Sequence, residues 1–239
     1  MKSRFIEIDL LRTLAIVMMV IYHTGYDLAF FHGFDFNPLT GGWKLLARST
    51  ATLFLLLVGI SFVISWERNP RFTKILKRGL TILAFGMLIT FVTYFWAPET
   101  YIRFGILHMI GVSMMLLPFF RKMREFNALI GLVILLSTAT ILNSKFLILN
   151  SELFLPFGIT PPNFLSLDYY PLLPWFGVVL IGLALGDFFY IRSKRIPKPT
   201  NRILKLLSFP GKHALIIYLI HQPIIIISLS FIFTLYKFP

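Results

Sequence analysis

The residues most able to do chemistry lie in the first apolar stretch of the sequence, which carries Asp9, Arg12, His23 and Asp27. In a helix that turns about 100° per residue, Arg12 and His23 lie about 20° apart around the axis. Asp9 and Asp27 each lie about 60° from Arg12, on the same side. These residues therefore predict one polar stripe on the first helix, with Arg12 and His23 roughly 16 Å apart along the axis.

The stripe combines a base, a carboxylate and a cation, and each has a chemical use. Histidine changes charge near neutral pH, so His23 suits proton transfer, and Asp27 lies one helical turn away, where it can orient the ring. Arg12 can bind a phosphate or a carboxylate. The alternative is structural: Asp9 and Arg12 form an ion pair, and His23 hydrogen-bonds to another helix. An ionisable group at the centre of a membrane helix costs about 2.5–3.5 kcal/mol, which favours a functional role for His23 with Asp27.

Composition indicates that the elements which position this stripe are membrane-spanning helices. Of the 239 residues, 57% are hydrophobic and 14% are charged, and the mean hydropathy is +0.79. A helix needs about 20 apolar residues to cross a bilayer. We therefore predict an all-α polytopic bundle, in one domain over residues 1–239, with seven spans near 10–31, 43–65, 79–97, 104–120, 127–143, 171–190 and 213–236. The segment 144–170 is predicted to be a loop with a short interfacial helix.

The net charge of +13 comes from Lys and Arg residues that lie mostly at one set of helix ends. The N-terminal segment and the second, fourth and sixth loops hold 18 of the 23 Lys and Arg residues. Basic loops lie on the cytoplasmic side of membrane proteins. We therefore expect a multi-pass protein of a prokaryotic plasma membrane, with a cytoplasmic N-terminus and an external C-terminus. This distribution accounts for the charge without nucleic acid as a partner.

Two further observations limit the function classes. The sequence contains no cysteine, which excludes disulfides and thiolate metal sites, and no spacing of His, Asp or Glu predicts another metal site. We interpret the first apolar run as a span rather than as a cleaved signal peptide, because no small-residue cleavage site follows it and further apolar runs do.

A second set of polar residues is predicted at the outer ends of the helices. It consists of Arg48, Arg103, His108 and Asp168. With His23 and Asp27, this set could line one outward-facing cavity that binds a polar acceptor. Alternatively its members are interfacial anchors and ion pairs, with Arg48 neutralising Asp27. Asp168 precedes the sixth span and is also a candidate cap for that helix.

His221 is a further candidate, because it lies in the last span just before Pro223. A proline inside a helix frees the carbonyl one turn earlier, here near Leu219, and broken helices often border cavities in membrane proteins. His221 is therefore predicted to contact a ligand in the cytoplasmic half of the membrane. The alternative is a histidine that makes an interhelical hydrogen bond.

The first helix resembles the opening helix of the transmembrane acyltransferase superfamily. The segment Ile8-Asp9-Leu10-Leu11-Arg12 is followed by ten residues and then His23. Membrane acyltransferases of that group carry an arginine and a histidine with this separation. The resemblance implies that the arginine handles acyl-CoA and that the histidine takes part in catalysis.

Five segments, in order along essentially the whole chain, are similar to the heparan-alpha-glucosaminide N-acetyltransferase catalytic-domain-like family. They are His23–Leu28, Arg48 with Leu53–Ser61, Arg103–Gly111, Asp168–Gly177, and Pro210–His213 with Tyr218–Pro223.

This resemblance implies a membrane-bound N- or O-acetyltransferase. It would move an acetyl or other acyl group from cytoplasmic acyl-CoA to an external acceptor, an amino sugar or a glycolipid, without a metal. The catalytic residues would be His23 and Asp27. The contacts of acyl-CoA would be Asp9, Arg12 and His221. The contacts of the acceptor would be Arg48, Arg103, His108 and Asp168.

Other functions fit the sequence as well. The stripe by itself is equally consistent with a proton relay in a small proton-coupled transporter, and a structural membrane subunit is a third alternative. Within the acyltransferase hypothesis, direct transfer and an acyl-histidine intermediate are both open, as is homodimer formation.

Overall fold

A computed structural model describes residues 4–142, 152–197, 199 and 201–236, and these residues form helices and connecting loops without a strand. The α-helices are α1 (Ile6–Phe31), α2 (Gly41–Arg68), α3 (Phe72–Trp96), α4 (Ile106–Phe120), α5 (Phe126–Leu142), α6 (Leu172–Gly186), α7 (Arg202–Leu207), α8 (Phe209–Lys212) and α9 (Ala214–Tyr236). Short 3₁₀ helices cover Arg121–Met123 and Glu152–Phe157, and a π-helical segment, Asp187–Arg192, extends α6.

The helices confirm the predicted all-α polytopic fold. Among the described residues, six helical segments are long and apolar enough to cross a membrane, and they contain α1, α2, α3, α4, α6 and α9. The predicted fifth span corresponds to α5, and Phe126–Thr138 form an apolar stretch of this helix among the described residues. A helix satisfies all its backbone hydrogen bonds internally, which is what a segment needs inside a bilayer.

Exposed apolar side chains indicate which helix surfaces meet lipid. On α3, the side chains of Leu88, Phe91 and Phe95 are 52%, 63% and 69% exposed. In water such a row would be unfavourable, since the largest apolar patches on soluble proteins are small and often functional. In a bilayer these side chains face hydrocarbon, so the sequence need not bury them.

The chain divides into two compact units, each described separately below. The first contains Met1–Phe54 and Ile196–Pro239, and therefore α1, the beginning of α2, and α7 to α9. The second contains Leu55–Arg195, and therefore the rest of α2 and α3 to α6. The single domain predicted for residues 1–239 stays a prediction.

In the first unit, the short helix α8 docks closely on α1. The hydroxyl of Thr13 donates to the Leu207 carbonyl (2.9 Å) and accepts from the Gly211 N–H (3.0 Å). A Cβ at position 211 would lie 1.8 Å from the carbonyl oxygen of Asp9, so only glycine fits there. This contact anchors the segment before α9 to the N-terminal part of α1.

In the second unit, small residues let helices approach each other closely, as is common in membrane bundles. Gly59 of α2 lies against the backbone of α6, and Gly131 of α5 lies against Gly177 of α6. Gly111 of α4 lies against the backbone of α3.

The connection before α6 contains a short helix, as the sequence predicts. The predicted short helix in 144–170 corresponds to the 3₁₀ helix Glu152–Phe157, whereas residues 143–151 lie outside the described residues. The prolines Pro171 and Pro174 predict an irregular entry to α6, and Leu173 indeed has a non-helical backbone (φ −96°, ψ 120°).

Candidate functional site

The polar stripe of α1 lies on the face that packs against α8 and α9. The side chains of Asp9 and Asp27 are buried, with 2% and 1% exposed, and His23 and Arg12 are partly buried. The backbone carbonyl of Asp9 contacts α8, and the side chains of His23 and Asp27 contact α9. The stripe therefore faces protein rather than lipid, as the cost of intramembrane charge requires.

At its N-terminal end, the stripe is an ion pair organised by Asp9. One carboxylate oxygen, Oδ1, accepts a hydrogen bond from Nη1 of Arg12 (2.8 Å) and another from Nη2 of Arg4 (3.1 Å). The other oxygen, Oδ2, is buried and has no hydrogen-bond partner among the described residues. Asp9 thus holds the guanidinium of Arg12, whose side chain is 19% exposed, at the end of the helix.

Further along α1, His23 meets a second histidine from α9. The ring centroids of His23 and His221 are 4.8 Å apart, and the rings meet edge to face at 63°. Tyr22 also contacts the His23 ring, at 5.4 Å between centroids. Because α1 and α9 both have the length and hydropathy of membrane spans, this pair of imidazoles lies within the apolar part of the molecule.

Asp27 has a different partner from the one predicted. Its two carboxylate oxygens accept hydrogen bonds from the side-chain amide of Gln222, at 2.8 and 3.0 Å. The predicted contact with His23 is not among its hydrogen bonds in the described part of the chain. The sequence analysis did not select Gln222 as a site residue. Its polar amide in the middle of an apolar span could have indicated one, because such a group needs a hydrogen-bond partner there.

His221 donates a hydrogen bond from one of its ring nitrogens. Its Nδ1 lies 2.6 Å from the carbonyl oxygen of Tyr218, in the same helix. Its Nε2 is buried and has no hydrogen-bond partner in the described part of the chain, and neither has Oε1 of the adjacent Gln222. Two neighbouring polar residues of α9 therefore offer unfilled positions beside α1.

In the second unit, Arg103 contacts the loop that precedes α6. Its Nη1 donates to the carbonyl of Leu165 (3.0 Å), and its guanidinium lies 4.1 Å from the ring centroid of Tyr101. Its Nε lies 3.2 Å from Oε1 of Glu152, close enough for an ion pair although outside hydrogen-bond geometry. These contacts match the anchor alternative and leave acceptor binding as a prediction.

The side chains of His108 and Asp168 both accept hydrogen bonds from backbone N–H groups at the start of α4. The Gly105 N–H donates to Nδ1 of His108 (3.2 Å), and the Ile106 N–H donates to Oδ2 of Asp168 (2.9 Å). Asp168 therefore caps α4 rather than α6, the helix that follows it in sequence. The free N–H groups at a helix start favour such acceptors.

The hydrogen bonds of His108 also define its tautomer. Nδ1 accepts a hydrogen bond from the Gly105 N–H, and Nε2 lies 3.2 Å from the hydroxyl oxygen of Thr90. That hydroxyl already donates to the Ile102 carbonyl (2.6 Å), so its oxygen accepts a hydrogen bond from the N–H at Nε2. Both nitrogens of this buried ring are occupied, which suits a structural role.

Burial raises the pKa of Asp168 to about 6, and the hydrogen bond from Ile106 offsets part of the rise. An unfolded aspartate titrates near 3.9. Between about pH 4 and 6 the folded protein therefore keeps a proton that the unfolded chain has lost, and stability falls as pH rises through this window, by about 3 kcal/mol at most.

Asp168→Asn should remove this pH dependence, because an amide stays neutral and still accepts from the Ile106 N–H. We expect its unfolding temperature in detergent, followed by tryptophan fluorescence, to vary less than that of the wild type from pH 4 to 7, and to be higher at pH 7. A variant with the pH dependence of the wild type would contradict this assignment.

The remaining candidates are placed as follows. Arg48 is exposed on α2, and its predicted ion pair with Asp27 is not among the contacts of the described residues. His23, Asp27 and His221 come together in the first unit. In the second unit His108 and Asp168 meet at the start of α4, whereas Arg103 contacts the loop before α6. That these two groups line one cavity stays a prediction. Among the described residues, no three His, Asp or Glu side chains form a group that could hold a metal ion.

One buried ion cluster in the second unit was not predicted from the sequence. Arg121 donates to Oδ2 of Asp187 (2.8 Å) and to Oε1 of Glu67. The carboxylate of Asp187 is 6% exposed, at the start of the π-helical segment. The cluster joins the ends of α2, α4 and α6, and such buried pairs are costly to break by removing one partner.

Residues 4–223 match the family model described as heparan-alpha-glucosaminide N-acetyltransferase, catalytic. No curated protein and no solved structure matches the chain.

Proposed function

The chain belongs to the heparan-alpha-glucosaminide N-acetyltransferase catalytic family, and on that premise we propose that it is an acyl-CoA-dependent membrane acyltransferase. The donor is acetyl-CoA or another acyl-CoA on the cytoplasmic side. The acceptor is an amino sugar or a glycolipid headgroup on the outer side. Family membership supports acetyl transfer in a membrane protein, and the finer assignments are part of the proposal.

The observation that carries the proposal is the polar cluster buried between two membrane-spanning helices. The His23 and His221 rings lie 4.8 Å apart, and Asp27 binds Gln222 beside them. Burying these groups costs free energy, and Nε2 of His221 has no hydrogen-bond partner among the described residues. Imidazoles in such a place suit proton transfer between a nucleophile and a leaving group.

We assign the following roles to residues of α1 and α9. His23 acts on the acyl group, either as a base towards the acceptor or as its transient carrier. Asp27 is a positioning residue. Its carboxylate binds the amide of Gln222 and thereby fixes the neighbouring His221 in place. Arg12, held by Asp9, binds acyl-CoA through its phosphates or its pantetheine chain, and His221 is a further contact of this substrate.

We assign acceptor binding to Arg48, Arg103, His108 and Asp168, because the sequence places them at the outer ends of the helices. Arg103, His108 and Asp168 surround the start of α4 and the loop before α6, and Arg48 is exposed on α2. The orientation, with the N-terminus in the cytoplasm, follows from the distribution of Lys and Arg.

The proposal is tested with purified protein in liposomes, using labelled acetyl-CoA and glucosamine as the probe acceptor. We expect labelled N-acetylglucosamine or an O-acetylated product, with release of one free thiol per acetyl group transferred. Uptake of a solute that depends on a pH gradient, without thiol release, would instead indicate a proton-coupled transporter and would overturn the proposal.

Arg12→Ala should weaken acetyl-CoA binding. A hydrogen bond to a charged group is worth about 1.5–3 kcal/mol, so we expect the Kd for acetyl-CoA to rise by at least about 10-fold. The measurement is isothermal titration with purified protein, and Lys44→Ala, at an exposed lysine on α2, is the control. An unchanged Kd in Arg12→Ala would remove the arginine from the donor site.

A further inference from the structure

Two adjacent residues of α9 each have a buried hydrogen-bond acceptor to which no described group donates. Nε2 of His221 and Oε1 of Gln222 both lack a hydrogen-bond partner among the residues that the structure describes. The His221 side chain belongs to a residue that is 8% exposed, so bulk water does not supply the missing partner. A buried polar group without a hydrogen bond is costly and calls for a physical explanation.

The protonation of His221 follows from its contact with Tyr218. A carbonyl oxygen only accepts hydrogen bonds, so Nδ1, at 2.6 Å from the Tyr218 carbonyl, carries a proton. In the neutral ring, Nε2 then holds a lone pair. The hydrogen bond to the backbone of α9 thus fixes one tautomer of His221. In this tautomer, the buried Nε2 carries an unshared lone pair.

The orientation of the Gln222 amide follows in the same way from Asp27. The amide nitrogen donates to both oxygens of the Asp27 carboxylate, and a reversed amide would place oxygen against oxygen. Oε1 is therefore an acceptor as well. Both unfilled atoms require the same kind of partner, a group that brings N–H or O–H hydrogens.

We propose that His221 is the general base of the transfer reaction, and that its Nε2 removes the proton from the attacking amine or hydroxyl of the acceptor. Gln222 is a positioning residue whose Oε1 accepts a hydrogen from the same incoming group. This assignment rests on the proposed function and replaces the role of His221 as a contact of acyl-CoA. In direct transfer it also replaces His23 as the base, and the adjacent His23 ring then passes the proton on to the departing thiolate.

The step balances without a further reactant. The acceptor N or O forms a bond to the acyl carbon, and its proton moves to Nε2 of His221. The bond from the acyl carbon to the CoA sulfur breaks, and the thiolate finally receives the proton. If His23 first carries the acyl group, the bond that breaks in the acceptor step is the one to the His23 nitrogen, and His221 still takes the acceptor proton.

His221→Asn separates this role from a structural one. The asparagine amide nitrogen takes the place of Nδ1, so it can keep the hydrogen bond to the Tyr218 carbonyl, but it has no atom equivalent to Nε2. A purely structural His221 would tolerate this change. A base would not, and general-base catalysis typically contributes about 10²–10⁴-fold.

The experiment measures acetyl-CoA turnover with glucosamine for the wild type, His221→Asn and the control His213→Asn, which alters an exposed histidine of the same unit. We expect kcat of His221→Asn to fall at least about 100-fold with KM for acetyl-CoA changed little, and its residual rate to rise in proportion to hydroxide. His213→Asn should keep the wild-type rate and pH profile.

The outcomes separate the two proposals. An inactive wild type contradicts the proposed function, whereas an active wild type with an equally active His221→Asn overturns only the assignment of the base. If His221→Asn does not fold, judged by its detergent elution profile and thermal transition, His221→Gln is the second variant.

Discussion

His23→Ala is expected to lower acetyl transfer by about 10²–10⁴-fold while the protein stays folded. The imidazole lies within the apolar part of the molecule, in edge-to-face contact with His221, and alanine removes both of its nitrogens. The range is the usual contribution of a group that transfers a proton, and an acyl-carrying histidine would give a loss at least as large. The measurement is the rate of label transfer from acetyl-CoA to glucosamine by protein in liposomes.

A control on the same helix distinguishes chemistry from packing. Ile21 lies two residues before His23, and its side chain is 49% exposed on the apolar surface of α1. Ile21→Ala removes a comparable volume without touching the polar cluster, and it should retain the wild-type rate. If His23→Ala elutes and melts like the wild type and transfers acetyl groups at full rate, the role given to His23 is wrong.

Intact mass measurement adds a second readout for His23. Incubation of the wild type with acetyl-CoA in the absence of acceptor should add one acetyl mass if this residue carries the acyl group. The mass should stay unchanged if transfer is direct. Either result agrees with the loss of activity in His23→Ala, so the mass decides only between the two mechanisms.

Gly59→Ala is expected to destabilise the protein more than any other single methyl addition that we propose. A Cβ at position 59 would lie 2.2 Å from the Val179 carbonyl oxygen and 2.4 Å from the Leu183 backbone nitrogen. Both neighbours are backbone atoms of α6, so no side chain can rotate away and the helices must separate. Overpacking costs typically about 1–3 kcal/mol and sometimes more, and we expect the upper part of that range.

The same substitution at Gly42 provides the control, because Gly42 is also in α2 but a Cβ there would meet no neighbouring atom within 4 Å. Alanine favours helix over glycine by up to about 1 kcal/mol, so Gly42→Ala should be neutral or slightly stabilising. Thermal unfolding in detergent, followed by tryptophan fluorescence, compares the two variants. A Gly59→Ala transition at or above that of Gly42→Ala would refute close packing of α2 on α6.

Local patterns in the sequence were sufficient for the helices and for the polar stripe. Apolar runs of about 20 residues predict membrane spans from length alone, and six of the seven predicted spans correspond to described helical segments long and apolar enough to cross a membrane. The burial of Asp9 and Asp27 follows from helical periodicity, since both fall on the arc of Arg12 and His23. The ion pair of Asp9 with Arg12 was predictable because the two residues are one turn apart.

Hydrogen-bond partners distant in sequence could not be predicted in this way. Asp27 was expected to orient His23, four residues away, but its carboxylate binds Gln222, which is 195 positions later. Asp168 was a candidate cap for the next helix in sequence, but it caps α4, since the Ile106 N–H lies closer to its carboxylate in the folded chain. No local pattern distinguishes these alternatives.

The sequence by itself determined the fold class, the family and the residues on one face of α1. These properties depend on hydropathy, on the 3.6-residue period and on motifs, all of which are local or can be compared along the chain. Only the tertiary structure decided which groups face each other across α1 and α9, and therefore which ring nitrogen of His221 holds a lone pair. The physical reason is that a hydrogen bond depends on the distance and angle between two atoms, and packing of helices that are far apart in sequence sets both.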